Sequence, residues 1–144
     1  MPHVTLNHPK LTLEGAEAVV AAAKTHAARI GVPMNIAVVD DGGHMIAFGR
    51  MDGAKLASIA IAINKAVAAA IRRQATGPAR SGDEVSTLLS LSLAIGSEAQ
   101  QTPIRGGIPL ESGGECVGAI GVSAGTEDQD VEVARAGAAA FGKA

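Results

Sequence analysis

Aromatic side chains are almost missing: Phe48 and Phe141 are the only two, and there is no Trp or Tyr. Few rings are therefore available for stacking on bases or on flat cofactors. A basic surplus is missing as well. With 12 Lys and Arg against 14 Asp and Glu the formal charge is −2, which argues against a clustered cationic surface for nucleic acid. One cysteine, Cys116, precludes an intrachain disulfide, and its place in an apolar run suits a small core residue better than a reactive thiol. No stretch reaches the ~20 apolar residues that span a bilayer; the longest candidate, Leu56 to Ile71, is interrupted by Asn64 and Lys65. The start, Met1-Pro2-His3-Val4, shows no basic segment followed by an apolar one, so no secretory signal is read and a cytoplasmic protein is expected.

Motifs with established chemistry are equally scarce. There is no H-x-x-x-H, no C-x-x-C, no phosphate-binding G-x-x-x-x-G-K-[ST] and no G-x-G-x-x-G. His44, at a turn, is the best single candidate for a metal ligand. Gly121-Val122-Ser123-Ala124-Gly125 has the G-x-S-x-G form of a hydrolase nucleophile turn, but in that arrangement the acid and histidine follow the serine. Here His3, His8, His26 and His44 all precede Ser123, so the glycines are read as turn formers.

What the chain has in abundance is small apolar residues: hydrophobic residues make up 47%, mostly Ala, Val, Ile and Leu. At 144 residues one domain, 1–144, is expected. After a lead-in with a possible edge strand at Val4 and Leu6, Thr12 caps a helix whose apolar stripe is Leu13, Ala16, Val20, Ala23, Ala27 and Ile30. Gly31 and Pro33 stop it. Met34 to Asp40 reads as a strand covered on both faces, Asp41-Gly42-Gly43 as a hairpin turn, and His44 to Met51 as the return strand, with His44, Ile46, Phe48 and Arg50 on one face. A second helix is expected over 55–73 with a main stripe of Leu56, Ile59, Ala60, Ile63, Val67 and Ala70. Its other side, Ile61, Lys65, Ala68 and Arg72, is also largely apolar. A helix apolar nearly all round in so small a domain predicts self-association.

Residues 74–83 read as a loop, and Ser81 with Glu84 as a capping box for a helix ending at Gly96, although Leu89, Leu91 and Leu93 also alternate as in a strand. Thr102 to Leu110 reads as a turn leading into a short strand, and Cys116 to Val122 as a strand, with Gly118 and Gly121 admitting a close neighbour. Thr126 and Gln129 form a capping box for the last helix. The order predicts an α/β/α layered domain with a mainly antiparallel sheet. Asp41-Gly42-Gly43, Arg105-Gly106-Gly107 and the Ser123 turn can gather N–H groups around an anion. Arg50, Lys65, Arg105, Gly106, Gly107 and Ser123 are the candidate ligand-binding residues, with Arg105 a fork for a carboxylate. Asp40 and Asp52 are the candidates for proton transfer.

Several segments in this order resemble the GlcG/HbpS-like family of haem-binding or haem-degrading proteins, related to the C-terminal domain of PduO-type proteins. They are Leu11-Thr12-Leu13-Glu14, Ile36 to Asp40 with Gly42-Gly43-His44, Arg50 to Ala54, Ser58-Ile59, Lys65-Ala66, Gly106 to Pro109, and Gly118 to Ser123. The resemblance implies a profilin-like α/β/α domain, a homo-oligomer that is commonly an octamer, and haem or another tetrapyrrole as cofactor, with Lys65, Arg72 and Arg105 available to the propionates. The chain departs from the pattern in carrying Ala124 where glycine is common. Two classes of function stay open: binding of haem or a small carboxylated ligand, and a catabolic isomerase, tautomerase or hydratase, or an accessory subunit of such a pathway. Nucleic acid and membrane are not expected partners.

Overall fold

The computed structural model describes residues 3–142. The first helix, α1 (Leu13–Ile30), starts where the Thr12 hydroxyl accepts the Gly15 N–H at 3.0 Å and ends at Gly31, which takes the left-handed conformation that glycine adopts without steric cost. β1 (Asn35–Asp40) and β2 (Met45–Arg50) form the expected hairpin. A 3-10 turn, Leu56–Ser58, then leads into α2 (Ile59–Arg72). A small hairpin of β3 (Arg80–Ser81) and β4 (Glu84–Val85) precedes α3 (Thr87–Gly96). β5 (Gly107–Ser112), β6 (Glu115–Ser123) and α4 (Glu127–Ala140) complete the chain.

The four main strands lie in the order β2-β1-β6-β5, all antiparallel. Alternation in the two central strands splits the core. Ile36, Val38, Ile120 and Val122 face α1 and α4, whereas Ala37, Val39 and Ala119 face α2. The architecture is thus the expected α/β/α sandwich. The α2 layer is unusually thin because the contact is made of alanines, Ala62, Ala66, Ala69 and Ala70. A Cβ on Gly121 would strike Ala62 O, and one on Gly107 would strike Lys65 O. Those two glycines let the helix backbone rest on the sheet.

Several expectations need correction. α2 turns Ala62, Lys65, Ala66 and Ala69 to the sheet; of the expected stripe only Ala70 is buried with them, Ile63 and Val67 pack half-buried at the margin, Ile59 is half-buried, and Leu56 and Ala60 are exposed. The glycine floor explains this: only small side chains fit where backbones approach so closely. On α1 the buried line runs through Val19 instead of Val20, and Leu13 stays exposed. No strand forms at Val4 and Leu6, which are exposed. α3 is capped by Ser86, whose hydroxyl accepts Leu89 N–H, and not by Ser81, which with Glu84 is paired in the small hairpin. The end of the expected 74–83 loop is therefore a strand. Finally, a bulge sets Val38 opposite Ala47 but Val39 opposite Met45, so Met45 joins the face of Phe48 and Arg50.

Candidate functional site

A buried ion pair joins three elements. Lys65 Nζ on α2 lies 2.8 Å from Asp130 Oδ2 on α4 and donates to Val122 O on β6 at 2.9 Å. The other Asp130 oxygen accepts Gly125 N–H at 3.0 Å, so the turn after β6 is tied to the same pair. The two side chains are only 1% and 3% exposed. Lys65 is thus committed to the interior and cannot reach a ligand, a correction to its expected role. Above it Gly106 has φ 127, and a Cβ there would crowd Val122 O, Asp130 and Lys65 Nζ. Ser123 is the last residue of β6 and is buried opposite Asn35, not displayed as a nucleophile. Ala124 has φ 122, a conformation that favours glycine.

Of the surface clefts among the described residues, two hold the expected Arg50 and Arg105. The larger, about 620 Å³, lies between α1 and the end of β2 and is lined by Lys24, Thr25, Ala28, Arg50, Met51 and Asp52. It adjoins a second depression of about 270 Å³ whose walls include Leu13, Val20, Lys24 and Ile46. Lys24 belongs to both, which makes one groove with an apolar length and a cationic end. Neither Lys24 nor Arg50 forms an ion pair among the described residues. A smaller cleft of about 250 Å³ sits at the other sheet edge, where Arg105 and Arg135 flank Gly106 and Gly107. There Thr76 seals the edge of β5: its hydroxyl accepts Gly107 N–H at 2.9 Å and its N–H donates to Gly107 O at 3.0 Å. Arg105 is held by Asp128 at 2.9 Å.

The structure therefore separates the expected site residues. Arg50 and Asp52 share the large groove, Arg105, Gly106 and Gly107 share the small one, and Lys65 and Ser123 lie inside. Asp40 is occupied at the hairpin turn, where its Oδ1 accepts the N–H groups of Gly42 and His44, both at 2.9 Å. His44 is exposed, and no group of three or more His, Cys, Asp or Glu is placed to hold a metal among the described residues. Lys24 was not legible as a site residue, because from the sequence it is one more charge off the apolar stripe of α1.

A neighbouring cluster ties down the N-terminal segment. His8 Nε2 and Lys10 Nζ reach Asp41 at 3.0 and 3.2 Å, and His8 Nδ1 lies 3.1 Å from Glu115. Burial pushes the Asp41 carboxyl up, but hydrogen bonds from Lys10 and His8 and the Lys10 charge outweigh it, so its pKa lies below the ordinary value.

The fold and these clefts can be set beside known proteins. Residues 11–139 match the family model described as haem degrading protein HbpS-like. Protein GlcG of Escherichia coli strain K12 is 35% identical over 113 residues, covering 78% of this chain and 81% of that protein. The crystal structure of Klebsiella pneumoniae protein ORFY superimposes with a TM-score of 0.88 at 28% identity, covering 100% of this chain and 99% of the other. That of a PduOC:heme complex does so with a TM-score of 0.82 at 25% identity, over 93% and 96%. The chain belongs to the GlcG/HbpS-like family.

Proposed function

We propose that the protein binds haem, or a related tetrapyrrole carrying carboxylates, as a homo-oligomer. The observation that carries this reading is the groove between α1 and β2. Its volume is in the range of small-molecule sites, about 300–1,000 Å³. Leu13, Val20 and Ile46 offer an apolar wall, and Lys24 and Arg50 offer two uncommitted cations at one end. That combination matches a flat apolar ring with acidic groups along one edge. A relative was solved as its haem complex.

The fit is at the ring and its acids. Met51 Sδ already accepts the Met34 N–H at 3.4 Å, and no histidine lines the groove. Bound haem would supply iron for ligand or redox chemistry; the chain's residues would position it by charge and apolar contact. Titration with haem should give a saturable, stoichiometric Soret band. Lys24→Ala with Arg50→Ala should weaken binding about tenfold or more, since a hydrogen bond to a charged group contributes about 1.5–3 kcal/mol. A featureless, non-saturating spectrum would remove the proposal.

A second reading draws on Asp52, which lines the same groove. With a small carboxylated metabolite, Lys24 and Arg50 would hold the carboxylate and Asp52 would transfer the proton. Solvent deuterium entering such a substrate, and failing to enter with Asp52→Asn, would favour turnover over binding.

A further inference from the structure

The sheet is covered unequally. On one face α1 and α4 pack against each other and the strands, while on the opposite face α2 packs over β6, β1 and β5. β2 is left bare on that face. Phe48, beside Ala37, and Met45, beside Val39, both point to the α2 side and are 37% and 44% exposed. α2 borders this strip with Ile63, Val67 and Ile71, of which the first two are half-buried and the last is exposed. The result is an apolar strip from Met45 to Phe48, about 10 Å long, with Arg50 on the same face at its far end.

α3 has the complementary problem. Thr87–Gly96 contains no charged residue, and Leu88, Leu91 and Ile95, spaced by three and four, form one stripe. They are 77%, 53% and 78% exposed. Within the chain, α3 is fastened chiefly to the small hairpin, through the Ser90 hydroxyl that accepts Ala79 N–H at 2.9 Å. A ten-residue helix, about 15 Å long, is marginal in water by itself, and a hairpin of two-residue strands adds little. Its stripe needs a cover whenever the chain is folded.

The cover that is always present at equal concentration is another copy of the chain. Charge sorts the surfaces in the same direction. α1 and α4 expose charges of both signs, among them Glu14, Glu17, Lys24, Asp128 and Arg135, whereas the Met45–Phe48 strip beside α2, short of Arg50, matches the uncharged stripe of α3. We propose that α3 of one copy lies on the strip over β2 of a second copy, with Leu88, Leu91 and Ile95 against Met45, Phe48 and the Ile63–Val67–Ile71 side of α2. It supplies the helix that the layer lacks. This rests on the self-association proposed above and assigns its surfaces.

The test uses full-length chains with Cys116→Ser. One preparation carries Leu91→Cys and another Phe48→Cys; they are mixed, allowed to exchange subunits and oxidised. The expected product is the mixed disulfide dimer, in at least tenfold excess over either like pair. Separately, Leu88→Glu with Leu91→Glu should lower the mass seen by light scattering, while circular dichroism retains the sandwich. A Leu91→Cys homodimer in excess, or an unchanged mass in the glutamate variant, overturns the docking while leaving self-association intact. A monomeric wild type overturns both.

Discussion

Asp130 and Lys65 show how much one interior contact can hold. Removing one partner of a buried ion pair strands the other charge, at about 3–5 kcal/mol, whereas replacing both with apolar groups is often nearly neutral. Asp130 also holds Gly125 N–H, so its loss frees the turn after β6. Asp130→Ala should therefore lower unfolding stability in urea by about 3–5 kcal/mol, and Lys65→Met with Asp130→Leu should recover most of it. The pair was only half legible: a lysine in an apolar helix demands an interior partner, but the partner is 65 residues away. No periodicity links such positions. Asp41 behaves differently. Its lowered pKa means that its contribution is complete above the ordinary carboxylate value and is lost as pH falls through the folded value. The stability advantage of wild type over Asp41→Asn should be full above the ordinary carboxylate range and shrink as pH falls below it in pH-dependent denaturation.

At the scale of elements, legibility follows the range of the interaction. Thr12, Gly31 and the Thr126–Gln129 capping box act within four residues and occur as expected. Ser81 with Glu84 has the same local form, yet Arg80–Ser81 pairs with Glu84–Val85 and the cap passes to Ser86. Two equally good local signals compete there, and the tight turn at Gly82 decides between them. The orientation of α2 was not legible because its larger side chains suggest the wrong inner face. Glycine in β6 reverses that choice by bringing the backbones together. Gly121→Ala should force α2 away from the sheet and cost about 1–3 kcal/mol or more, since a Cβ there meets Ala62 O, which cannot rotate aside. Gly113→Ala, at an open turn with φ 59, should cost only its backbone strain. Chemical denaturation of the two variants separates the effects.

For the whole molecule, the sandwich distributes its surfaces by layer. α1 and α4 meet solvent through charges, the groove beside α1 carries Lys24 and Arg50, and the α2 layer exposes apolar residues on α2, β2 and α3. The two proposed tasks meet on β2, because Arg50 shares the face of Met45 and Phe48 and Phe48 also lines the smaller depression of the groove, so ligand and assembly are expected to influence each other. If native chains associate through the α2 layer and unfolded chains do not, mass action makes the folded state more stable as protein concentration rises. For a chain of this size each kcal/mol moves the midpoint by roughly 2–4 °C, and a tenfold change in concentration supplies about 0.7 kcal/mol per chain in a dimer. The melting midpoint should therefore rise by about 1.5–3 °C per tenfold increase in protein, and Leu88→Glu with Leu91→Glu should abolish that dependence. A wild-type midpoint independent of concentration across the micromolar range would mean that the exposed leucines of α3 are covered by something other than this chain.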